Sequence, residues 1–282
     1  MKKCLAVLFR LLFRIQFIKK RHFGIHERLF KPYNLFKGVI FKTNYNGLQV
    51  ILRIEDWIQE NIFFLGEYEK AELKAIERFV TGDGIFIDIG ANIGLYTLHV
   101  SKLTNHKTPI ICFEPFYKNY FSLIENITLN RLSNVTIEKI AIGEKEGVIN
   151  LYYDKKENNL GMVSLNPVVN AIKEEVQITS LDAYLINKSF LKIDLIKIDI
   201  EGFEYEALLG MKYTLTTFQP TLLIEMLDSN KSCGQNLNCD NLLKGIGFSK
   251  YFIDNDGGLS INNVNNKRMN YLFTTKIFPD LM

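Results

Sequence analysis

The chemistry available to this chain is concentrated where short apolar runs end in acids. The first such place is Ile85-Phe86-Ile87-Asp88-Ile89-Gly90-Ala91-Asn92-Ile93-Gly94, where a helical pattern begins at once. An acid two residues before the first glycine suits a ligand that carries an ammonium or hydroxyl groups, and it would repel a pyrophosphate. A dinucleotide fingerprint would read Gly-x-Gly-x-x-Gly, which this turn does not. Gly90 and Gly94 are expected to let the backbone approach that ligand closely. The second place is Ile110-Ile111-Cys112-Phe113-Glu114-Pro115, whose Glu114 falls where a carboxylate can accept both hydroxyls of a ribose. The third is Lys139-Ile140-Ala141-Ile142-Gly143, read as the close of a third strand, where small Ala141 leaves room for a flat adenine ring. The comparison favours S-adenosylmethionine over a nicotinamide cofactor.

The fourth place is Ile196-Lys197-Ile198-Asp199-Ile200-Glu201-Gly202-Phe203-Glu204. Lys197 and Asp199 are two apart, so they share one face of a strand. Acids crowded beside an amine are costly to bury unless they are paired or used, and such crowding marks functional sites. The fifth is Thr221-Leu222-Leu223-Ile224-Glu225, whose Glu225 should face the same crevice.

Alternating elements must position these residues. Strands are expected at 85–89, 109–113, 135–140, 194–200 and 221–226, with helices at 94–104, 116–130 and 203–216. Short strand, helix, short strand, repeated, implies an α/β fold with a parallel sheet covered on both faces. Upstream, the pattern over 38–54 reads as a hairpin turning at Asn46-Gly47, and 67–79 as a helix. Downstream, 248–253 and 271–275 read as an antiparallel closing hairpin, and 154–160 and 254–267 as polar loops.

Charge is distributed unevenly. The formal charge is +3, yet residues 1–31 hold nine Lys and Arg against Glu27 alone, a net +8 that leaves −5 for the rest. An acidic body is a poor nucleic-acid binder, so no nucleic-acid partner is expected. The apolar stretch 5–18 carries Arg10 and Arg14 on one helical face. It is too short to span a bilayer, which takes roughly 20 residues, and it lacks a small-residue cleavage site. It fits either a helix lying on the inner face of an anionic membrane or one packed on the protein's own body or a second subunit. The expected location is cytoplasmic, with peripheral membrane contact as an option. The cysteines (Cys4, Cys112, Cys233, Cys239) and four histidines show no zinc spacing. Cys112 reads as a core residue, and Cys233 and Cys239 could pair only in an oxidising compartment.

Taken in order, these segments resemble the FkbM-type methyltransferase family from about residue 66 to about 225. The segments that carry the resemblance are Gly66-Glu67-Tyr68-Glu69, the turn through Gly94, Phe113-Glu114-Pro115, Ala141-Ile142-Gly143, Thr179-Ser180-Leu181-Asp182 and Asp199-Ile200-Glu201-Gly202-Phe203-Glu204. The resemblance implies a class I methyltransferase Rossmann-like fold with a mostly parallel seven-stranded sheet and a C-terminal antiparallel hairpin. The expected organisation is a basic N-terminal segment (1–35), a hairpin with a lead-in helix (36–80) and the methyltransferase domain (81–282). It implies S-adenosylmethionine as cofactor and O-methylation of a sugar hydroxyl in a bacterial glycan, glycolipid or natural product. Asp88, Gly90, Asn92 and Gly94 would lie at the methionine end, Glu114 on the ribose, Ala141 at the adenine, and Asp199 beside the cofactor.

A sugar hydroxyl is a weak nucleophile, so a base should take its proton. Asp199 or Glu204 is the expected base, with Glu225 third, and Lys197 would pair with Asp199 or polarise the acceptor. Carboxylates suit hard cations, but no ligand set is specific enough to assign a metal. The acceptor and the oligomeric state are open. The alternative is a non-catalytic cofactor-binding or scaffold subunit of a glycan-synthesis complex.

Overall fold

The computed structural model describes residues 1–153, 171–189, 192–226, 233–262 and 269–278. Two strands, β1 (Ile40–Tyr45) and β2 (Leu48–Arg53), form the expected antiparallel hairpin. Asn46 and Gly47 both take positive φ (50° and 82°), which matches the right-handed twist of the flanking strands. The Asn44 side chain accepts the Gly47 N–H at 2.9 Å and fixes the reversal.

The strands that follow are β3 (Ile85–Ile89), β4 (Ile110–Phe113), β5 (Val135–Glu138), β6 (Ala141–Ile142), β7 (Gly147–Tyr153), β8 (Ile172–Thr179), β9 (Ile193–Ile198), β10 (Thr221–Glu225), β11 (Ser249–Ile253), β12 (Leu259–Ser260) and β13 (Asn270–Thr274). The main sheet runs β12-β11-β13-β10-β9-β3-β4-β5. Seven substantial strands with the two-residue β12 at the edge agree with the expected sheet. The strands β5, β4, β3, β9 and β10 are mutually parallel, and β13 runs antiparallel to both β10 and β11. The closing hairpin is therefore present.

Every residue of β3, β4 and β9 is buried, as strands covered on both faces must be. Alternation divides them between two cores. Phe86, Cys112 and Leu195 face a layer built from the N-terminal segment and the helices Trp57–Leu65, Lys70–Ile76, Leu95–Leu103 and Tyr117–Leu129. Ile87, Ile111 and Ile196 face the helices Leu181–Leu185, Glu204–Leu209, Lys212–Phe218 and Cys233–Ile246. Ala6, Phe13, Phe30 and Phe36 share the first core with Phe86, so the N-terminal segment packs one side on the body. Among the described residues, no helix is long and apolar enough to cross a membrane.

Four sequence expectations need correction. The helix expected at 67–79 is Lys70–Ile76, and a helix Trp57–Leu65 precedes it. Asp56 caps that earlier helix by accepting the Gln59 N–H at 3.0 Å, and Gly66 stops it at φ 75°. The third strand ends at Glu138. Ala141 belongs instead to a separate sheet, β6-β8-β7, because β6 crosses over to pair with β8. Third, the helix expected at 203–216 is two helices, Glu204–Leu209 and Lys212–Phe218. A Cβ at Gly210 would overlap the Gly143 carbonyl, so close packing sets the break. Fourth, Thr179-Ser180-Leu181-Asp182 is a brace. Ser180 caps its own helix, accepting the Ala183 N–H at 3.1 Å. The Asp182 carboxylate accepts the Tyr213 and Thr214 N–H groups at 2.8 and 2.9 Å, capping the next helix but one. The polar loop 154–160 and part of 254–267 lie outside the described residues. Cys112 is buried, and Cys239 is a free buried thiol.

Candidate active site

Strand order reverses between β3 and β9, and the carboxyl ends of these neighbours open a crevice. Open α/β sheets bind ligands at such a switch point. The cavity here has a volume of about 130 Å³ and opens to solvent. Its walls include Gly90, Asn92, Glu114, Ala141, Asp199 and Glu225. Six of the positions singled out in the sequence thus meet in one place. Asp88, Gly94, Lys197 and Glu204 are not in the wall.

The β3 turn is shaped by the protein's own packing. A Cβ at Gly90 (φ 76°) would overlap the Asp199 carbonyl oxygen, and one at Gly94 (φ 90°) would overlap the Leu123 side chain. Both glycines therefore make room for neighbouring chain; Gly90 also lies in the cavity wall, and Gly94 does not. The turn presents the Asn92 N–H to Glu114 Oε2 at 2.8 Å, while the Phe116 N–H donates to Oε1 at 3.0 Å. Glu114 is thereby fixed in the wall with lone pairs to spare on both oxygens. Burial raises its carboxyl to about 7, against the pull of these two donors. Ala141 lies between Ile140 and Ile142, with Phe116 nearby, and these residues line an apolar slot next to that acid.

Asp88 stands one residue short of the strand end. It is fully buried, and its Oδ2 accepts the Thr97 hydroxyl at 2.7 Å. Register pairs it with Lys197 across the β3–β9 ladder. Its place at the methionine end is not met, because β3 continues to Ile89 and alternation turns Asp88 into the core. Lys197 links the two ends: its Nζ donates to the Gly90 carbonyl at 2.8 Å and lies 3.0 Å from Asp199 and 3.8 Å from Asp88. Burial opposes the charge on Lys197, but Asp199, Asp88 and Glu69 outweigh it and raise the amine's pKa. Lys197 is thus a buried brace below the cavity.

Asp199 and Glu225 lie together in the cavity wall. Burial pushes Asp199 up, yet Lys197 and hydrogen bonds from Glu225 and Lys197 hold it below the usual carboxylate range. Glu225 is pushed to about 10 by burial, then by the charge and hydrogen bond of Asp199. Near neutrality the pair shares one proton, carried on Glu225. Glu201 completes the cluster, its carboxylate within 4.8 Å of both. Glu201 is exposed as a residue, but partial desolvation of its carboxyl beside the cluster, and then the charges of Asp199 and Glu204, raise its pKa. The spacing of the three carboxylates suits a hard cation as well as a hydrogen bond between Asp199 and Glu225.

Glu204 does not reach the cavity. Its Oε1 accepts the Gly202 N–H at 3.0 Å and the Ile200 N–H at 3.3 Å, which holds the turn in which Glu201 sits at φ 55°. The expectation of a base at 204 is replaced by a positioning role, because the helix starts at 204 and turns this side chain back onto the loop.

The sequence reading missed Tyr68 and Phe203, which line the cavity, and Glu69, which adjoins the Lys197–Asp199 pair. Glu69 sits at φ 46° and is raised to about 7 by burial, then by Asp199. Apart from the Gly66-Glu67-Tyr68-Glu69 string, no periodic signal marks them.

The Methyltransferase FkbM domain matches residues 88–249. The chain is 26% identical over 185 residues to Methyltransferase 1 of Beauveria bassiana (strain ARSEF 2860), covering 59% of this chain and 73% of that protein. It is similar in structure to Methyltransferase FkbM from Methylobacillus flagellatus KT, with 18% identity and a TM-score of 0.47. That match covers 76% of this chain and 52% of the other, so this chain spans about half the length of that protein. M. jannaschii TYW2 in complex with AdoMet is similar at 11% identity and a TM-score of 0.40, covering 83% and 84% of the two chains. The domain match takes in the end of β3, all of β9 and the acids Asp199, Glu201 and Glu225, and it covers more than half of the sequence: the chain belongs to the FkbM methyltransferase family.

Proposed function

We propose that this protein is an S-adenosylmethionine-dependent O-methyltransferase acting on a hydroxyl of a sugar in a bacterial glycan, glycolipid or related natural product. The observation that carries this reading is that Asp199 and Glu225 meet Glu114 and Ala141 in one cavity at the carboxyl ends of β3 and β9. The cavity's lining suits a cationic ligand, since Glu114, Asp199, Glu201 and Glu225 are in its wall and Lys197 is buried behind it.

S-Adenosylmethionine, when bound, would supply an activated methyl group on a positively charged sulfur. Glu114 would hold the ribose hydroxyls, its orientation set by the Asn92 and Phe116 amides. The Ile140–Ala141–Ile142 slot would take the adenine, and the acids near Asp199 would face the positive end. Tyr68, Phe203 and Glu225 border the remaining space, where an acceptor hydroxyl can reach Asp199. Asp199 would accept the proton of the acceptor hydroxyl, and the Asp199–Glu225 pair would hold that proton. Alignment of acceptor and methyl donor in the cavity would supply much of the acceleration, up to roughly 7–11 kcal/mol in favourable cases.

Asp199→Asn should leave cofactor binding within about tenfold and lower turnover by roughly 10²–10⁴, the range of a lost general base. Labelled cofactor incubated with fractionated bacterial glycans gives the readout. Unchanged methyl incorporation by Asp199→Asn would overturn the assignment.

A further inference from the structure

We infer that the N-terminal segment is a docking face for a phospholipid bilayer with anionic headgroups. The helix Lys2–Leu12 has two apolar sides. Ala6, Phe9 and Phe13 turn inward to pack with Phe30, Phe36 and Phe64. On the opposite side Leu8 and Leu11 point to solvent, and the chain continues outward through Ile15, Phe17 and Phe23. These five residues and Val7 are between 44 and 66% exposed. A helix meeting only water on its outer side would carry polar residues there, and clustered exposed apolar residues mark an interaction site.

Charge selects the occupant. Lys3, Arg14, Lys20, Arg21 and Arg28 are exposed in the same segment, and the Arg21 guanidinium lies 3.5 Å from the centre of the exposed Phe17 ring. Residues 1–31 carry net +8 while the remainder carries −5, so the basic excess lies in the segment that bears the exposed apolar side chains. A second copy of the chain would cover the leucines, but a two-fold interface would bring two such basic segments together. Nucleic acid would take the cations and leave the leucines and phenylalanines in water. An anionic bilayer accommodates both, with apolar side chains at the acyl boundary and Lys and Arg among the headgroups.

The face is fixed to the cavity wall. His22 Nε2 and His26 Nδ1 lie 3.0 and 2.9 Å from the buried Glu60, whose helix also contributes Ile58 to the cavity. Lys19 pairs with Glu67 at 2.5 Å, and the next residue is the cavity-lining Tyr68. Docking itself does not depend on methyl transfer. The consequence that the acceptor is a membrane-borne sugar does rest on that reading.

Co-sedimentation of the full chain with phosphatidylcholine vesicles, with and without phosphatidylglycerol, tests docking alone. Binding should be at least about tenfold stronger to the anionic vesicles and should fall as salt screens the cations. Lys20→Ala and Arg28→Ala should each weaken it about fivefold. Leu8→Asp combined with Leu11→Asp should abolish it without changing the melting temperature or cofactor binding. If that double variant folds poorly, the lysine and arginine variants and the salt dependence decide. Equal binding to neutral vesicles, or none to either, would overturn the inference. So would a dimer that dissociates in the double variant while vesicles go unbound.

Discussion

Replacing Glu204 by glutamine or alanine separates a positioning residue from a base. Glu204 Oε1 accepts two backbone N–H groups, at 3.0 Å from Gly202 and 3.3 Å from Ile200. Hydrogen bonds to a charged acceptor are worth about 1.5–3 kcal/mol each. The longer of the two contributes less, so Glu204→Ala should cost about 2–4 kcal/mol of stability. It also releases a turn holding Glu201 at φ 55° and Gly202 at φ 92°, a left-handed conformation that a non-glycine residue adopts only when the surroundings impose it. With the turn loosened, Glu201 and Asp199 lose their alignment and turnover falls. Glutamine keeps an oxygen in the same place. Glu204→Gln should therefore lose only about 1 kcal/mol, and its turnover should stay within about fivefold of the parent. A catalytic base at this position would instead lose roughly 10²–10⁴ on the same change. Urea denaturation reads the stabilities, and labelled methyl incorporation into a glycan fraction reads the rates. A fall of more than a hundredfold for Glu204→Gln, at unchanged stability, would refute the reasoning and restore the base.

The cavity acids set a pH dependence. Glu114 holds its proton to about 7 in the folded chain and only to its ordinary 4.5 when unfolded, so between these values the folded form binds more protons. Its contribution to stability is complete below pH 4.5 and is lost as pH rises through 7, about 3 kcal/mol at most. Glu69 and Glu225 act in the same direction. The urea midpoint of the unliganded protein should fall between pH 5 and 8, less so in Glu114→Gln, and a flat profile would contradict the burial of these groups. Because a cationic ligand favours the ionised acids, S-adenosylmethionine should bind more tightly as pH rises over the same window; calorimetry showing the opposite trend would count against an acid-lined site. Gly90→Ala places a Cβ against the Asp199 carbonyl and strains a positive φ, so it should destabilise the fold by at least about 2 kcal/mol. A melting temperature unchanged in that variant would show that the β3 turn and the β9 exit are not in contact.

The central strands were legible because Ile-rich runs buried on both faces read as strands whatever their partners, and the acids closing them mark carboxyl ends. That is why Glu114, Asp199 and Glu225 meet as expected. Asp88 was misplaced for a geometric reason. One further residue of strand, Ile89, turns an acid from the cavity into the core, and sequence does not fix a strand's last residue to within one position. Glu204 was misread because a glutamate opening a helix can face a cleft or fold back on the preceding turn. The sheet β6-β8-β7 was illegible because it depends on a pairing between Ala141-Ile142 and Ile178-Thr179, far apart along the chain. The N-terminal segment was left between two readings, and the structure shows why both had support: one side of its helix is packed on the body and the other is exposed.

The claim underlying the rest is that the cavity between β3 and β9 accepts a sulfonium nucleoside. Isothermal titration of S-adenosylmethionine into the parent chain and into Ala141→Trp addresses it directly, because tryptophan at 141 would fill the slot between Ile140 and Ile142. The expected result is one site per chain in the parent and no measurable heat in the variant, with the variant still folded. Equal affinity in both proteins, or no binding by the parent, would contradict it.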